Sequence, residues 1–79
     1  MYFLYILYSE KLDKYYVGST ADITRRIERH NAGWGRFTKG GITWKLVHTE
    51  EYTNKSEAVK RERHIKKQKS RLYIEDLIK

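Results

Sequence analysis

A chain of 79 residues makes one domain near the lower size limit at which an apolar core folds unaided, so most of its apolar residues are committed to packing. Zero cysteines exclude a disulfide framework, a disulfide-linked partner and a thiolate zinc site, and make the reducing cytoplasm the expected compartment. The net charge of +7 and pI of about 9.7 imply either an anionic partner or solubility alone.

Charge distribution separates those two readings. Between Lys60 and Arg71 the chain carries Lys60, Arg61, Arg63, Lys66, Lys67, Lys69 and Arg71, opposed only by Glu62. Such clustering suits phosphate binding.

No apolar run approaches the roughly 20 residues that span a bilayer, so no membrane partner is expected. Met1 leads directly into Tyr2-Phe3-Leu4-Tyr5-Ile6-Leu7 with no basic region or small-residue cleavage site, and that segment reads as a first strand. Tyr2 to Tyr8 is aromatic and aliphatic, Ser9 to Lys14 is polar enough to turn, and Tyr15 to Ser19 forms a second strand, making a hairpin. Asp22 is an N-cap candidate ahead of Ile23 and Ile27, and Asn31-Ala32-Gly33 supplies a stop. Trp34 to Thr43, rich in glycine and carrying Arg36 and Lys39, reads as a mobile loop able to close over a ligand. Trp44 to Tyr52 follows as a third strand. Asn54 with Glu57 approximates a capping box that opens a second helix through Ala58, Val59 and Ile65. Ser70 starts a short closing helix with Leu72, Ile74, Leu77 and Ile78. With no repeat, linker or proline, one α/β domain over residues 1–79 accounts for the chain.

Several residue types invite chemistry. Cross-strand neighbours lie about 4.5 to 5.5 Å apart, so Tyr5 and Tyr16 can share one face of the hairpin, although tyrosines also pack in strands for their own sake. Gly18 has two readings, a turn with positive φ or a backbone that something approaches closely, and taken alone the turn is the simpler. Arg26 and His30 stand four apart, on the helix face that borders Ile23 and Ile27, whereas Arg25 and Arg29 suit a solvated face. Ala58, Glu62 and Ile65 follow helical spacing and put a carboxylate on the apolar stripe. An inward acid needs a partner: a structural arginine, or a divalent cation that also binds phosphate. Its alternative role is to relieve repulsion among basic neighbours. His30, His48 and His64 show neither HxH nor HExxH spacing, and no Walker-type glycine loop or GxSxG occurs. Metal-assisted phosphodiester hydrolysis is the chemistry these types support best.

The chain resembles a GIY-YIG nuclease domain of the small stand-alone kind that includes Uri-like and UPF0213 proteins. Tyr16-Val17-Gly18 resembles the YIG element, Asp22 through Arg26 to His30 the first helix, and Ala58 through Glu62 to Lys66 the helix with the metal-binding glutamate. Phe3-Leu4-Tyr5 stands where the first motif would be and keeps only its tyrosine, and no asparagine follows Glu62 as in many such nucleases. The resemblance implies a three-stranded antiparallel sheet flanked by helices and a one-metal mechanism using Mg²⁺ or Mn²⁺. In it Tyr5 would act as general base or position water beside Tyr16. Arg26 would stabilise charge on the phosphate, Glu62 would hold the metal, and His30 would orient a tyrosine or shuttle a proton. A phenol serves as base only if its pKa of ~10 falls toward neutrality, and Arg26 and a metal are expected to push it that way.

The expected function is a metal-dependent endonuclease on DNA, of low sequence specificity, in repair, recombination or turnover. Its alternatives are a nucleic-acid-binding module with weak or no turnover, and a ribonuclease or RNA binder. Arg25, Arg36, Lys39, Lys60, Arg63, Lys66 and Lys67 are the candidate phosphate contacts, which position a strand without reading bases. Trp34 and Phe37 either stack on an unpaired base, favouring branched or single-stranded DNA, or anchor their loop. One site cuts one strand, so double-strand breaks require a dimer or two successive binding events; the expected state is a monomer or weak dimer.

Overall fold

The computed structural model describes residues 1–79. Strand β1 (Tyr2–Ser9) and strand β2 (Lys14–Thr20) form the expected hairpin. Strand β3 (Trp44–Tyr52) pairs with the other side of β1, so the antiparallel order is β2-β1-β3. The position of β1 follows from its sequence: Leu4, Tyr5, Ile6 and Leu7 are all fully buried. An unbroken apolar run suits a central strand covered on both faces. One face carries Leu4, Ile6 and Val17 against Ile65, and the other carries Tyr5, Leu7 and Trp44 against Ile27 and Ile42. Each such side chain contributes roughly 1.5–3 kcal/mol on burial.

Helix α1 (Ile23–Asn31) lies on the second face, and helices α2 (Lys55–Gln68) and α3 (Arg71–Leu77) lie on the first. All three start at the expected caps: Asp22 accepts from Arg25 N, Asn54 from Glu57 N and Ser70 from Tyr73 N. Each bond satisfies a backbone donor that the first helical turn leaves free. Gly33, at φ +85°, releases the chain after α1. Register shifts between Ile6 and Leu7 on the β3 side, where Ile6 faces His48 and Leu7 faces Leu46. This bulge breaks the alternation of β3 and leaves Leu46 at the surface.

A half-buried ion network fastens α2 to β3. Glu50 accepts from Arg61 Nε at 2.8 Å and Nη2 at 3.2 Å, and from Tyr52 Oη at 2.6 Å; its Oε2 lies 2.8 Å from His48 Nε2. Burial pushes the Glu50 carboxyl up, but the hydrogen bonds from Arg61, His48 and Tyr52 outweigh it and hold the group at about 2.

The glycine-rich segment after α1 is fastened at several points. It contains a single 3₁₀ turn, Lys39–Gly41. Trp44 Nε1 donates to Thr38 O at 2.6 Å, and Asn31 makes two hydrogen bonds to the Trp44 backbone, accepting from its N at 2.7 Å and donating to its O at 3.1 Å. Trp44 and Thr38 are both buried. The anchor of the loop is therefore Thr38 and Trp44, while Trp34 and Phe37 remain 73% and 69% exposed.

Candidate active site

The chemistry-bearing residues converge where β2 forms the edge of the sheet. Tyr5 rises from the central strand on the α1 face and passes over Gly18, its register partner in β2. A Cβ built on Gly18 would stand 2.5 Å from Tyr5 Oη and 2.7 Å from Cζ. Gly18 lies within the strand rather than in a turn, so close approach, and not positive φ, explains its glycine. Tyr16 faces Leu7, two pairs along, and is thus diagonal to Tyr5 on the same face rather than opposite it; their ring centroids are 6.3 Å apart.

From α1, His30 turns inward and is buried. Its Nε2 lies 3.1 Å from Tyr5 Oη, and its Nδ1 lies 2.9 Å from Thr38 Oγ1, which in turn donates to Gly35 O at 3.4 Å. Burial, and then the Arg26 guanidinium, hold the His30 imidazole below its ordinary value, so the ring is neutral near pH 7. With Nδ1–H assigned as donor to Thr38, Nε2 is left with a lone pair for the Tyr5 hydroxyl. Tyr16 meets the His30 ring edge-on at 4.9 Å.

The Tyr5 environment departs from the expected one. Burial pushes the phenol up, the neighbouring Tyr16 adds to this, and the Arg26 guanidinium opposes it without prevailing. The group is a neutral phenol at neutral pH.

Glu62 reaches the same edge from the opposite face. It accepts from Ser19 Oγ at 2.7 Å on Oε1 and from Lys66 Nζ at 2.7 Å on Oε2. Its side chain is 21% exposed, so the partner of this half-inward acid is a serine and a lysine, not an arginine. Lys66 Nζ also sits 5.8 Å above the Tyr16 ring. Lys66 thus links the carboxylate to the tyrosine side of the site.

No three His, Cys, Asp or Glu side chains lie together as a metal cage. One carboxylate offers a single anchor to a hard divalent cation of the kind that keeps several waters and is completed by substrate phosphate, and Lys66, now on Glu62 Oε2, competes for it. Glu62 is the carboxylate at this edge that would hold such an ion.

The basic residues divide by position. Arg25, Arg26 and Arg29 line a small concavity of about 100 Å³ with Thr20 and Asp22. Arg29 also stacks on Trp34 at 5.2 Å. Arg36, Lys39 and Arg63 are exposed. Lys60 and Lys67 are exposed on the side of α2 opposite Ala58 and Ile65, away from Glu62. Sequence reasoning missed Ser19, Thr38 and Arg29. Ser19 adjoins Gly18 on the strand and Arg29 stands one turn from Arg25, which are signals in hindsight; nothing local marks Thr38.

Residues 1–74 match a family described as the GIY-YIG catalytic domain. The chain is 49% identical over 53 residues to a UPF0213 protein of Halobacterium salinarum, a match covering 66% of this chain and 69% of that protein. It is 44% identical over 52 residues to one of Natronomonas pharaonis, spanning 61% of that relative. It is 40% identical over 67 residues to one of Listeria welshimeri, covering 84% of this chain and 73% of that protein. The solution NMR structure of a UPF0213 protein from Bacillus halodurans superimposes with a TM-score of 0.60 at 35% identity, covering 99% of this chain and 83% of the other.

Proposed function

The chain belongs to the GIY-YIG catalytic domain family, a family of nucleases, and from that premise we propose that it is a metal-dependent endonuclease hydrolysing DNA phosphodiester bonds with low sequence specificity, in repair, recombination or turnover. The observation that carries this reading is the Tyr5 phenol lying over Gly18 with its hydroxyl 3.1 Å from His30 Nε2, beside the strand on which Ser19 holds Glu62.

The geometry supports the following roles. A phenol that stays protonated near pH 7 accepts a proton from water only if it gives up its own at the same moment. His30 Nε2, 3.1 Å away and neutral, is positioned to receive it. Water oxygen attacks phosphorus, its proton passes to Tyr5 Oη, and the Tyr5 proton passes to His30 Nε2. Thr38 holds the imidazole in the required orientation. The P–O bond to the leaving oxygen then breaks, and that oxygen takes a proton from solvent. Arg26 supplies fixed positive charge where charge builds on the phosphate. Glu62 would hold the divalent cation, with Ser19 fixing its carboxylate. When bound, the ion supplies Lewis-acid stabilisation of phosphoryl and leaving oxygens.

A second reading, a nucleic-acid-binding module with weak turnover, is favoured by one observation: Lys66 already neutralises Glu62. Cleavage with Mg²⁺ and Mn²⁺ of supercoiled plasmid, flap, branched and single-stranded DNA, and RNA, beside Glu62→Ala, decides between them. Cleavage that disappears in the variant supports the endonuclease; salt-dependent binding without cleavage supports the module.

A further inference from the structure

Beside the candidate site, a groove of about 610 Å³ opens between β2 and the junction of α2 with α3, and Tyr16 and Lys66 belong to both. That volume falls in the range of roughly 300–1,000 Å³ typical of small-ligand sites. Its floor is apolar, formed by Val17, Ile65 and Ile74, and Phe37 forms a wall. Phe37 is 69% exposed, with its ring 6.0 Å from that of Tyr16 and tilted by 39°. It anchors nothing, since Thr38 and Trp44 hold the loop. A large aromatic side chain left in water beside an apolar groove marks a contact surface.

The rim has the opposite character. Lys14 and Lys69 border the groove and make no ion pair, whereas Arg71 is committed to Asp13 and Glu75. An apolar floor, an aromatic wall and unpaired cations at the rim complement a molecule with one flat apolar face and one anionic end. A nucleotide is such a molecule. A base held in a continuous duplex has both faces stacked and must be extruded at a cost to enter, while an unpaired nucleotide enters without it.

We infer that this groove is a subsite for an unpaired nucleobase of the DNA strand bound at the neighbouring site, so that strands with unpaired nucleotides, not continuous duplex, are the preferred ligands. The inference rests on the nucleic-acid reading of the site. It assigns Phe37 to stacking and Lys14 and Lys69 to the flanking phosphates.

The test measures binding of the full chain, in buffer free of divalent cations so that nothing is cut, to a short fluorescent single strand of DNA, to the same sequence as blunt duplex, and to the same sequence in RNA. Phe37→Ala, an exposed substitution, is expected to weaken single-strand binding roughly tenfold, as loss of one base–aromatic stack does, and to change duplex binding less than twofold. Amide resonances of Lys14 to Val17 and Lys69 to Arg71 are expected to shift with the single strand. Equal weakening on single strand and duplex, or shifts confined to α1, would overturn the subsite. A Phe37 effect on RNA alone would overturn the choice of DNA. A dimer that Phe37→Ala disperses would assign the groove to a second copy of the chain and overturn it too. If cleavage is absent yet the single-strand preference depends on Phe37, the subsite stands and the nuclease reading falls. If cleavage holds and Phe37 is silent, the subsite alone falls.

Discussion

Substituting Gly18 by alanine places one methyl group where the structure has no space. The added Cβ would meet Tyr5 Oη at 2.5 Å, Cζ at 2.7 Å and Cε1 at 3.0 Å. The nearest of these atoms is tied to His30, and Tyr5 itself is fully buried. Either β2 moves away from the ring or the ring leaves the imidazole. Overpacking of this kind costs about 1–3 kcal/mol, set against roughly 0.5–1 kcal/mol that alanine normally gains over glycine within a strand. The net expectation is a loss of about 1–2 kcal/mol. At about 4–8 °C per kcal/mol for a domain of this size, the midpoint of thermal unfolding should fall by about 5–15 °C. Scanning calorimetry of the wild type, Gly18→Ala, Tyr5→Leu and the double variant separates the causes. The shorter leucine does not reach Gly18, so the double variant should be more stable than the sum of the single losses predicts, by about 1 kcal/mol. An unchanged or raised midpoint in Gly18→Ala would refute the reasoning, and strict additivity would show that the clash is not with Tyr5.

Other expectations concern pH and charge. Glu50, held at about 2 against an ordinary value of 4.5, contributes stability that is fully present above about 4.5 and is lost as pH falls from there toward 2. That difference amounts to at most about 3 kcal/mol, so Glu50→Gln should cost about 2 kcal/mol at pH 7 in urea unfolding and flatten the acid limb. His30, buried and held below its ordinary 6.5, favours the neutral ring; its contribution is present above about 6.5 and declines as pH falls through that value, and His30→Gln should remove this step. Arg25→Ala with Arg29→Ala should lower the salt dependence of DNA binding by up to about one unit of slope per lost phosphate contact. Lys60→Ala with Lys67→Ala, on the far side of α2, should leave that slope unchanged when binding is titrated against salt.

What the sequence made legible was local. Asp22, Asn54 and Ser70 read as caps because a cap needs only its own side chain and the next turn. The first strand, expected over Tyr2 to Tyr8, read correctly because an aromatic and aliphatic run of that length favours a strand, but its central place in the sheet was not read. Register was not legible. Tyr16 is diagonal to Tyr5 because the turn fixes Leu7 opposite Tyr16, two pairs along the ladder. Gly18 was ambiguous because a strand glycine and a turn glycine look alike until the ring above it is known. The fastenings of the glycine-rich segment were not legible, because they are hydrogen bonds of Asn31 and Trp44 at its two ends that composition does not reveal. The Tyr5 phenol was expected to fall in pKa from the charge of Arg26 and of a metal; against Arg26 alone, the burial of the folded sheet wins.

The Tyr5 hydroxyl and its bond to His30 lie at the centre of the account, and Tyr5→Phe removes that one oxygen while keeping the ring. Single-turnover cleavage of the preferred DNA substrate by wild type and Tyr5→Phe, each shown folded by circular dichroism, is the direct measurement. A fall in rate of about 10²–10⁴, the range for losing a positioned proton acceptor, with DNA binding retained, is the predicted result. Cleavage at the wild-type rate by Tyr5→Phe would contradict the account.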